Sequence, residues 1–298
     1  MHILNKLADR NLIKPETFVL TGLQYLTIMG SVSYQVSSDI SDLDLYGFTI
    51  PPKNMVFPHL AGDIIGFGRQ KKNFEQFQQH NISYSDAFGG KGQTIDVAIY
   101  NIIKLFSLCM ENNPNILDCI CTPPNCVLYI TKIGKLVKEN RKMFFHKGAW
   151  YKFKGYAYSQ LHKIKNKNSI GKRKEIVEEY GYDTKFAYHV VRLINQVEQI
   201  LLEGDMDITR NSEQLKAIRK GEWKEEDIVN YFIEKEKYLE KLYVESKIPY
   251  GPDEDKIKQL LINCLEEYYG NLDNCVLNID KSINCINDIK NVLNKYNF

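Results

Sequence analysis

The two aspartates Asp42 and Asp44, separated by one residue, have the clearest capacity for chemistry in this sequence. Residues 43–50 are rich in β-forming side chains and stop at two prolines, which predicts a strand. Side chains at i and i+2 of a strand share a face, so we expect Asp42 and Asp44 side by side. Such carboxylates repel unless a cation neutralises them, and Mg²⁺ or Mn²⁺ fits because it binds carboxylates together with substrate phosphates. Alone, an Asp-x-Asp pair is also common as a solvated or turn-capping feature.

The Gly30-Ser31 pair suits a phosphate group. It ends a predicted strand at residues 25–29, and we expect a short helix after it. Glycine lets the backbone approach a phosphate closely, and Ser31 would sit at a helix N-terminus, where free N–H groups bind anions. With ten residues between Ser31 and Asp42, the spacing predicts a site that holds a nucleoside triphosphate at one end and metal ions at the other.

A third carboxylate, Asp96, follows a glycine-rich loop and lies on a predicted strand at residues 94–99. It would complete a two-metal site in which Asp42, Asp44 and Asp96 are both the catalytic residues and the metal ligands. In such a site one metal ion lowers the pKa of an attacking 3′-hydroxyl, and the other stabilises the pyrophosphate that leaves. We expect Asp96 beside the attacking hydroxyl, as a metal ligand and candidate general base.

The elements that must position these residues change in type along the chain. Up to about residue 100, short strands alternate with loops, and beyond it apolar residues recur at helical spacing. Strands followed by a run of helices indicate an α+β fold, with a small catalytic α/β domain at residues 1–125 and a helical domain at residues 126–298. Helices are predicted at residues 1–11, 100–111, 115–121, 129–143, 149–166, 172–180, 183–203, 211–219, 224–246 and 253–269.

The formal net charge of +2 conceals a strong asymmetry along the chain. Residues 131–192, here called the basic segment, contain 16 Lys and Arg against 5 Asp and Glu, whereas residues 193–298 contain 14 against 21. A basic block between two acidic regions suggests a surface for a polyanion. Solvated helix faces would give the same composition, so charge alone leaves both interpretations open.

Five residues of the basic segment are candidates for binding a nucleotide. Lys154 and Lys163 are interleaved with tyrosines that could stack on bases, although most of these aromatic residues also suit the core of an amphipathic helix. Lys185, His189 and Arg192 follow at i, i+4 and i+7, on one face of a predicted helix. That stripe could contact phosphate, or it could be a surface Lys and Arg on either side of a packed His.

The remaining composition excludes several classes of protein. The seven cysteines are odd in number and form no Cys-x-x-Cys pair, so neither a zinc ribbon nor a disulfide framework is indicated, and we expect reduced, buried thiols. No apolar run approaches the roughly 18–20 residues that span a bilayer. The first ten residues lack the apolar core of a signal peptide. We therefore expect a cytoplasmic protein without a membrane partner, of undetermined oligomeric state.

Residues 30–47 resemble the signature of the DNA polymerase β-like nucleotidyltransferase superfamily: a Gly-Ser pair, ten residues, then Asp-x-Asp, with another Asp on a later strand. Further segments resemble one branch of it, known as predicted nucleotidyltransferases or the RNA repair pathway polymerase β family. They lie at residues 41–47 (SDLDLYG), 112–118 (NNPNILD), 180–193 (YGYDTKFAYHVVRL) and 218–222 (IRKGE). The resemblance extends from about residue 25 to about residue 225.

The resemblance implies a polymerase β-like core that transfers a nucleoside monophosphate from a triphosphate to an acceptor hydroxyl, with release of pyrophosphate. The branch implies an RNA 3′ end as the acceptor, in RNA repair or extension. A protein or small-molecule acceptor stays open, as does a nucleotide- or RNA-binding protein that does not catalyse. Two positions depart from the pattern: Gln35 replaces a glycine, and Asp118 stands where glutamate is more usual.

Overall fold

The computed structural model describes residues 2–37, 42–63, 66–68, 73–85, 92–166 and 172–272, with positions 286, 288–290, 292, 293 and 295. In these ranges a five-stranded mixed sheet accompanies many helices, so the predicted α+β class is confirmed. The strands are β1 (Leu23–Met29), β2 (Leu43–Thr49), β3 (Gln76–Tyr84), β4 (Gln93–Asn101) and β5 (Val127–Ile130). The helices are α1 (Ile3–Asp9), α2 (Thr17–Thr21), α3 (Gly30–Ser33), α4 (Lys53–Val56), α5 (Ile102–Met110), α6 (Pro114–Cys121), α7 (Lys132–Glu139), α8 (Ala149–Asn166), α9 (Lys172–Tyr180), α10 (Thr184–Glu203), α11 (Ser212–Arg219), α12 (Glu225–Glu245) and α13 (Glu254–Tyr269).

The strand order in the sheet is β3-β4-β2-β1-β5. Strands β2 and β4 are parallel, and every other neighbouring pair is antiparallel. Because β2 and β4 run in one direction, their first residues meet at the same edge of the sheet. Strand β1 runs the opposite way, so its last residue, Met29, lies at that edge opposite Asp44. The topology therefore brings Gly30, Asp44 and Asp96 together.

The two faces of the sheet follow from the alternation of side chains along each strand. On β2, Leu43 and Leu45 belong to an apolar cluster that also contains Leu4 and Leu7 of α1. The alternate side chains, which include Asp44, face the other way, where the larger apolar cluster joins the sheet to the helices. A site built on Asp44 must therefore lie between the sheet and the helical region.

Helix α10 is the centre of the helical region. Most of its residues are buried, and it packs against α8, α11 and α12. It begins at Asp183, whose carboxylate accepts hydrogen bonds from the backbone N–H groups of Lys185 and Phe186, and it ends at Gly204 with a left-handed φ of 60°. Its first turns can therefore carry functional side chains on a well-fixed backbone.

Two strands differ from the sequence predictions. β3 was not predicted because its residues, QFQQHNISY, are mostly polar, and as an edge strand it leaves most of its side chains partly or fully exposed. The predicted helix at residues 129–143 is wrong. Its first residues belong to β5, which pairs with β1, while α7 and a 3-10 turn at Arg141–Phe144 follow.

Strand β5 lies beyond residue 125, the predicted end of the catalytic domain. The larger apolar cluster also contains residues from both sides of that position, such as Tyr25 and Tyr188. The division into residues 1–125 and 126–298 stays a prediction.

Much of the basic segment is neutralised within the chain. Acidic residues of the C-terminal part bind its Lys and Arg side chains in several ion pairs: Lys132 with Glu267, Arg141 and Lys142 with Asp205, and Lys154 with Glu236 and Glu240. The charge asymmetry in the sequence is therefore in part an internal match between regions, and it is weaker support for a polyanion surface than the composition suggested.

The described cysteines Cys109, Cys119, Cys121, Cys126 and Cys264 are free thiols. Burial raises the pKa of each thiol above its usual value, so they are protonated. The other two, at positions 275 and 285, lie outside the described residues. Among the helices in the described ranges, none combines the length and the apolar character needed to cross a membrane.

Candidate active site

Asp44 and Asp96 are direct neighbours in the sheet. They are register partners in the parallel pair β2–β4, so both side chains project from the face that meets the helices. Asp42 precedes β2 and is exposed. The structure thus brings Asp44 and Asp96 together as predicted for two neighbouring strands, and Asp42, one residue before β2, is near enough for its charge to act on Asp44.

Asp44 is the carboxylate whose surroundings are least favourable to its charge. Burial raises its pKa to about 6, and the negative charges of Asp96 and Asp42 contribute to the rise. Lys185 and His80 oppose it. These two groups offset the negative charge only in part, which is the condition expected of a site that receives a further cation.

Gly30 lies so close to the Asp44 carboxylate that a side chain at this position would displace it. A Cβ atom at Gly30 would lie 2.0 Å from Asp44 Oδ2, and its backbone adopts the left-handed φ of +66° that favours glycine. The Gly-Ser pair and the Asp44 carboxylate are therefore adjacent parts of one site, as the sequence predicted from their spacing.

The loop after Gly30 closes on itself. Tyr34 N–H donates to Gly30 O (3.2 Å), and Val36 N–H donates to Ser31 O (2.8 Å). Gln35, where the family pattern has glycine, adopts a left-handed φ of 60°. The turn therefore keeps the backbone conformation that glycine would give. Helix α3 spans a single turn, so Ser31 offers its hydroxyl rather than the dipole of a long helix.

A β-bulge in β3 places two groups on Asp96. His80 and Asn81 together face one residue of β4, because the register passes from Gln79 opposite Val97 to Ile82 opposite Ile95. Asn81 N–H donates to Asp96 Oδ1 (2.7 Å), and His80 Nδ1 lies 3.3 Å from Asp96 Oδ2. Sequence reasoning missed His80 because it missed the strand. A polar strand with a His-Asn pair at its centre was the available signal.

Lys185 is the predicted basic residue that faces the carboxylates. It lies in the first turn of α10, half-buried, and its charge lowers the pKa of Asp44. Lys163 of α8 lies with its ammonium 5.7 Å from the ring centre of Phe186, and Arg173 of α9 contacts the same ring at 4.3 Å. The helices thus gather positive charge at the start of α10.

His189 lies one turn further along α10 and contacts the Tyr188 ring. Burial lowers its pKa well below the usual range, and the charges of Arg192, Lys185, Arg219 and Arg173 lower it further, so the imidazole is neutral. Its buried Nδ1 atom has no hydrogen-bond partner within the described part of the chain. It can offer a neutral donor or acceptor to a bound ligand.

Arg219, at the end of α11, is a second residue that sequence reasoning did not assign. Its guanidinium carbon lies 5.3 Å from the Tyr188 ring centre, and its charge acts on His189. The signal was available, since Arg219 lies in the IRKGE segment that carried part of the family resemblance.

Two other predicted nucleotide ligands have different partners. The Lys154 ammonium binds Glu236 (2.7 Å) and Glu240 (3.0 Å) of α12, so a nucleotide would have to displace an existing pair. Arg192 is 2% exposed and binds Asp118 and Gln196 in the core. Helical spacing placed Arg192 on the correct stripe of α10 but could not show that this stripe passes from the cleft into the interior.

The edge of the sheet that carries Asp44 and Asp96 suits a divalent cation, both in the type of ligand atom that it offers and in its charge. Asp44 and Asp96 supply carboxylate oxygens, the ligands that Mg²⁺ prefers, and burial together with the Asp96 charge raises the pKa of Asp44, which a bound cation would lower. Across the described ranges, no three His, Cys, Asp or Glu side chains converge closely enough to hold a metal ion. Asp44 and Asp96 would hold a cation, and Asp42 as a third ligand stays a prediction.

Comparison with known proteins places the chain in a family. The sequence model of the RNA repair pathway DNA polymerase beta family matches residues 5–262 of the chain. Among solved structures, a nucleotidyltransferase-like protein from Exiguobacterium sibiricum 255-15 is similar, with 12% identity, coverage of 89% of both chains and a TM-score of 0.28. A TM-score this low supports no argument about fold. No curated protein matches the chain.

Proposed function

We propose that this chain, which belongs to the RNA repair pathway DNA polymerase beta family, transfers a nucleoside monophosphate from a nucleoside triphosphate to the 3′-hydroxyl of an RNA and releases pyrophosphate. The single observation that carries the proposal is the register pair Asp44–Asp96, which lies against Gly30 and opposite the basic start of α10. An acidic edge that faces a cationic helix end matches the two charged parts of a metal–triphosphate complex.

The residues of the chain have separate roles in this proposal. Gly30 lets the triphosphate approach the backbone, and the Ser31 hydroxyl donates to a phosphate oxygen. Lys185, supported by Arg219, balances the negative charge of the phosphates across the cleft from Asp44. His189, which is neutral and half-buried, offers a hydrogen bond without adding charge.

Asp44 and Asp96 would hold Mg²⁺ or Mn²⁺, which polarises phosphoryl oxygens and lowers the pKa of a bound hydroxyl. Asp44 itself must be ionised to bind a cation, and its raised pKa means that cation binding competes with a proton below about pH 6. His80 and Asn81 fix the Asp96 carboxylate from the β3 side, which orients it before any ligand arrives.

RNA is the acceptor that the family description favours. The pairing of much of the basic segment with acidic residues removes part of the electrostatic argument for an RNA surface. Protein and small-molecule acceptors therefore belong in the same assay. The family description carries the preference for RNA.

The test is incubation of the purified chain with α-labelled nucleoside triphosphates, Mg²⁺ or Mn²⁺, and a panel of single-stranded RNA, tRNA, DNA, protein and aminoglycoside acceptors. We expect label on RNA 3′ ends. In Asp44→Asn and Asp96→Asn the rate should fall by about two to three orders of magnitude, because each loses a cation ligand.

Asp205→Asn is the matched control. Asp205 is also a half-buried carboxylate, but it binds Arg141 and Lys142 beyond the C-terminal end of α10, so transfer should persist. Label on protein or aminoglycoside and not on RNA would contradict RNA as the acceptor and assign the labelled class in its place. Triphosphate binding without transfer to any acceptor would overturn the catalytic proposal in favour of a binding protein.

A further inference from the structure

Tyr34 connects the Gly-Ser loop to the helical region. It follows α3 directly, it is buried, and its hydroxyl donates to Asp118 Oδ2 of α6 at 2.6 Å. Tyr34 N–H also donates to Gly30 O, so the tyrosine and the glycine belong to one turn of backbone. A displacement of the Tyr34 side chain therefore moves Gly30 and Ser31.

Asp118 is the centre of a buried polar network. It is 0% exposed and accepts from Tyr34, from Arg192 and, through Oδ1, from Gln196 Nε2 (2.9 Å). Arg192 Nη1 also donates to Gln196 Oε1 (3.0 Å), and its guanidinium carbon lies 4.5 Å from the Tyr34 ring centre. Every member of the network thus contacts at least two others.

This network contributes little to the stability of the fold compared with apolar residues of similar volume. Burying two charges costs desolvation that their attraction only partly offsets, and apolar residues of similar volume often do as well or better. Arg192 Nε is buried without a hydrogen-bond partner in the described part of the chain, which adds to the cost. What the network supplies is a fixed geometry, because each hydrogen bond restricts where Tyr34 can lie.

Helix α10 carries both Arg192, which belongs to the network, and Lys185, which faces the carboxylates. Arg192 holds the loop through Asp118 and Tyr34, and Lys185 lies seven residues earlier, which is about two turns or about 10 Å along the same face. The helix that bears the phosphate-facing lysine therefore also fixes the opposite wall of the site.

We propose that Tyr34, Asp118, Arg192 and Gln196 form a positioning unit that holds the Gly30-Ser31 loop at a set distance from Lys185 and thereby determines the affinity for the triphosphate. The inference rests on the proposed function, since it assigns the loop to phosphate binding. None of the four residues is a catalytic residue, because each acts through the loop and not on the substrate.

The test compares two variants that each lose one buried tyrosine hydroxyl. Tyr34→Phe removes the bond to Asp118, and Tyr25→Phe is the matched control. Tyr25 is as buried as Tyr34, and its hydroxyl bonds to Thr122 Oγ1 (2.6 Å) and Cys119 O (3.2 Å) and not to the Gly30-Ser31 loop or to the network of Asp118. The measurements are Kd for ATP and for GTP with Mg²⁺ by titration calorimetry, Tm, and KM and kcat of transfer.

We expect Tyr34→Phe to raise Kd and KM about five- to tenfold with kcat within about twofold of the wild type, and Tyr25→Phe to leave all three within about twofold despite a similar loss of Tm. Gln196→Met should also raise Kd. If Tyr34→Phe does not fold, Gln196→Met alone tests the positioning unit. A wild type that binds no triphosphate overturns both this inference and the proposed function. A wild type that binds, with Tyr34→Phe and Gln196→Met binding equally well, overturns the positioning unit alone.

Discussion

Asp44 is half-buried and Asp118 is fully buried, and burial raises the pKa of both carboxylates, yet their surroundings are opposite in kind. Around Asp118 every further contribution lowers the pKa, since Arg192, Tyr34 and Gln196 all interact with it favourably. Around Asp44 the next contributions come from Asp96, which raises the pKa, and from Lys185, which lowers it. The first carboxylate is complete within the fold. Asp44 has favourable and unfavourable neighbours at once, which is the balance expected of a carboxylate that binds a cation and not of one that only stabilises the fold.

The most direct test of this difference removes the charge of each carboxylate in turn and measures the free energy of unfolding. Asp118→Asn should lower the free energy of unfolding by about 3–5 kcal/mol, because it leaves the buried Arg192 without its counter-ion. Asp44→Asn should leave stability at pH 7 unchanged or raise it, since it removes repulsion from Asp96. Denaturant unfolding of both variants measures the difference, and equal losses would show that Asp44 is as well satisfied as Asp118.

A pH series sharpens the same comparison at Asp44. Its pKa is raised in the folded state, so the unfolded chain loses the proton first, near the ordinary value of 3.8, and the wild type loses stability as the pH rises towards about 6. Relative to Asp44→Asn, the wild type should lose up to about 3 kcal/mol between pH 4 and pH 6 and then reach a plateau. Unfolding of the two proteins across that range is the measurement. A difference that does not change with pH would mean that Asp44 has its ordinary pKa.

The smallest expected effect concerns Lys185, the positively charged side chain opposite Asp44. Lys185→Met should weaken binding of the Mg²⁺–triphosphate complex about tenfold, through the loss of one charge-assisted contact. It should also move the Asp44 transition to higher pH, because Lys185 is a group that lowers the pKa of Asp44. Calorimetric titration and the pH series measure the two effects together.

Lys174→Met is the control for that charge removal. Lys174 belongs to the same basic segment, but it is exposed and pairs with Glu178 within α9. Triphosphate affinity should be unaffected. If both variants weaken binding equally, the effect belongs to the overall charge and not to the position of Lys185.

The sequence predicted the site correctly where the position of a residue depends only on its place along one or two strands. The sequence placed Asp44 and Asp96 on two predicted strands at residues 43–50 and 94–99, and the structure pairs these strands in register. Gly30 was predicted to approach a phosphate, and the structure shows its backbone close to the Asp44 carboxylate. Asp42 lies one residue before β2, and its charge contributes to the raised pKa of Asp44, so its role as a third ligand stays a prediction.

Contacts between distant elements were beyond the reach of sequence patterns. Lys154 is bound to Glu236, and Arg192 to Asp118, across separations that helical periodicity does not encode. Periodicity gives the side of a helix and not its depth in the protein, so Arg192 was assigned to a surface that it does not reach. His80 was missed because a polar edge strand has neither the composition nor the alternation by which strands are recognised.

The internal pairing of the basic segment has a consequence for synthesis of the chain. Lys154 binds Glu240, 86 residues later, and Lys132 binds Glu267, 135 residues later. At about 5–20 residues per second, these lysines emerge from the ribosome several seconds to tens of seconds before their partners. During that interval these two lysines are unpaired next to ribosomal RNA, and their ion pairs form only when the acidic helices α12 and α13 arrive.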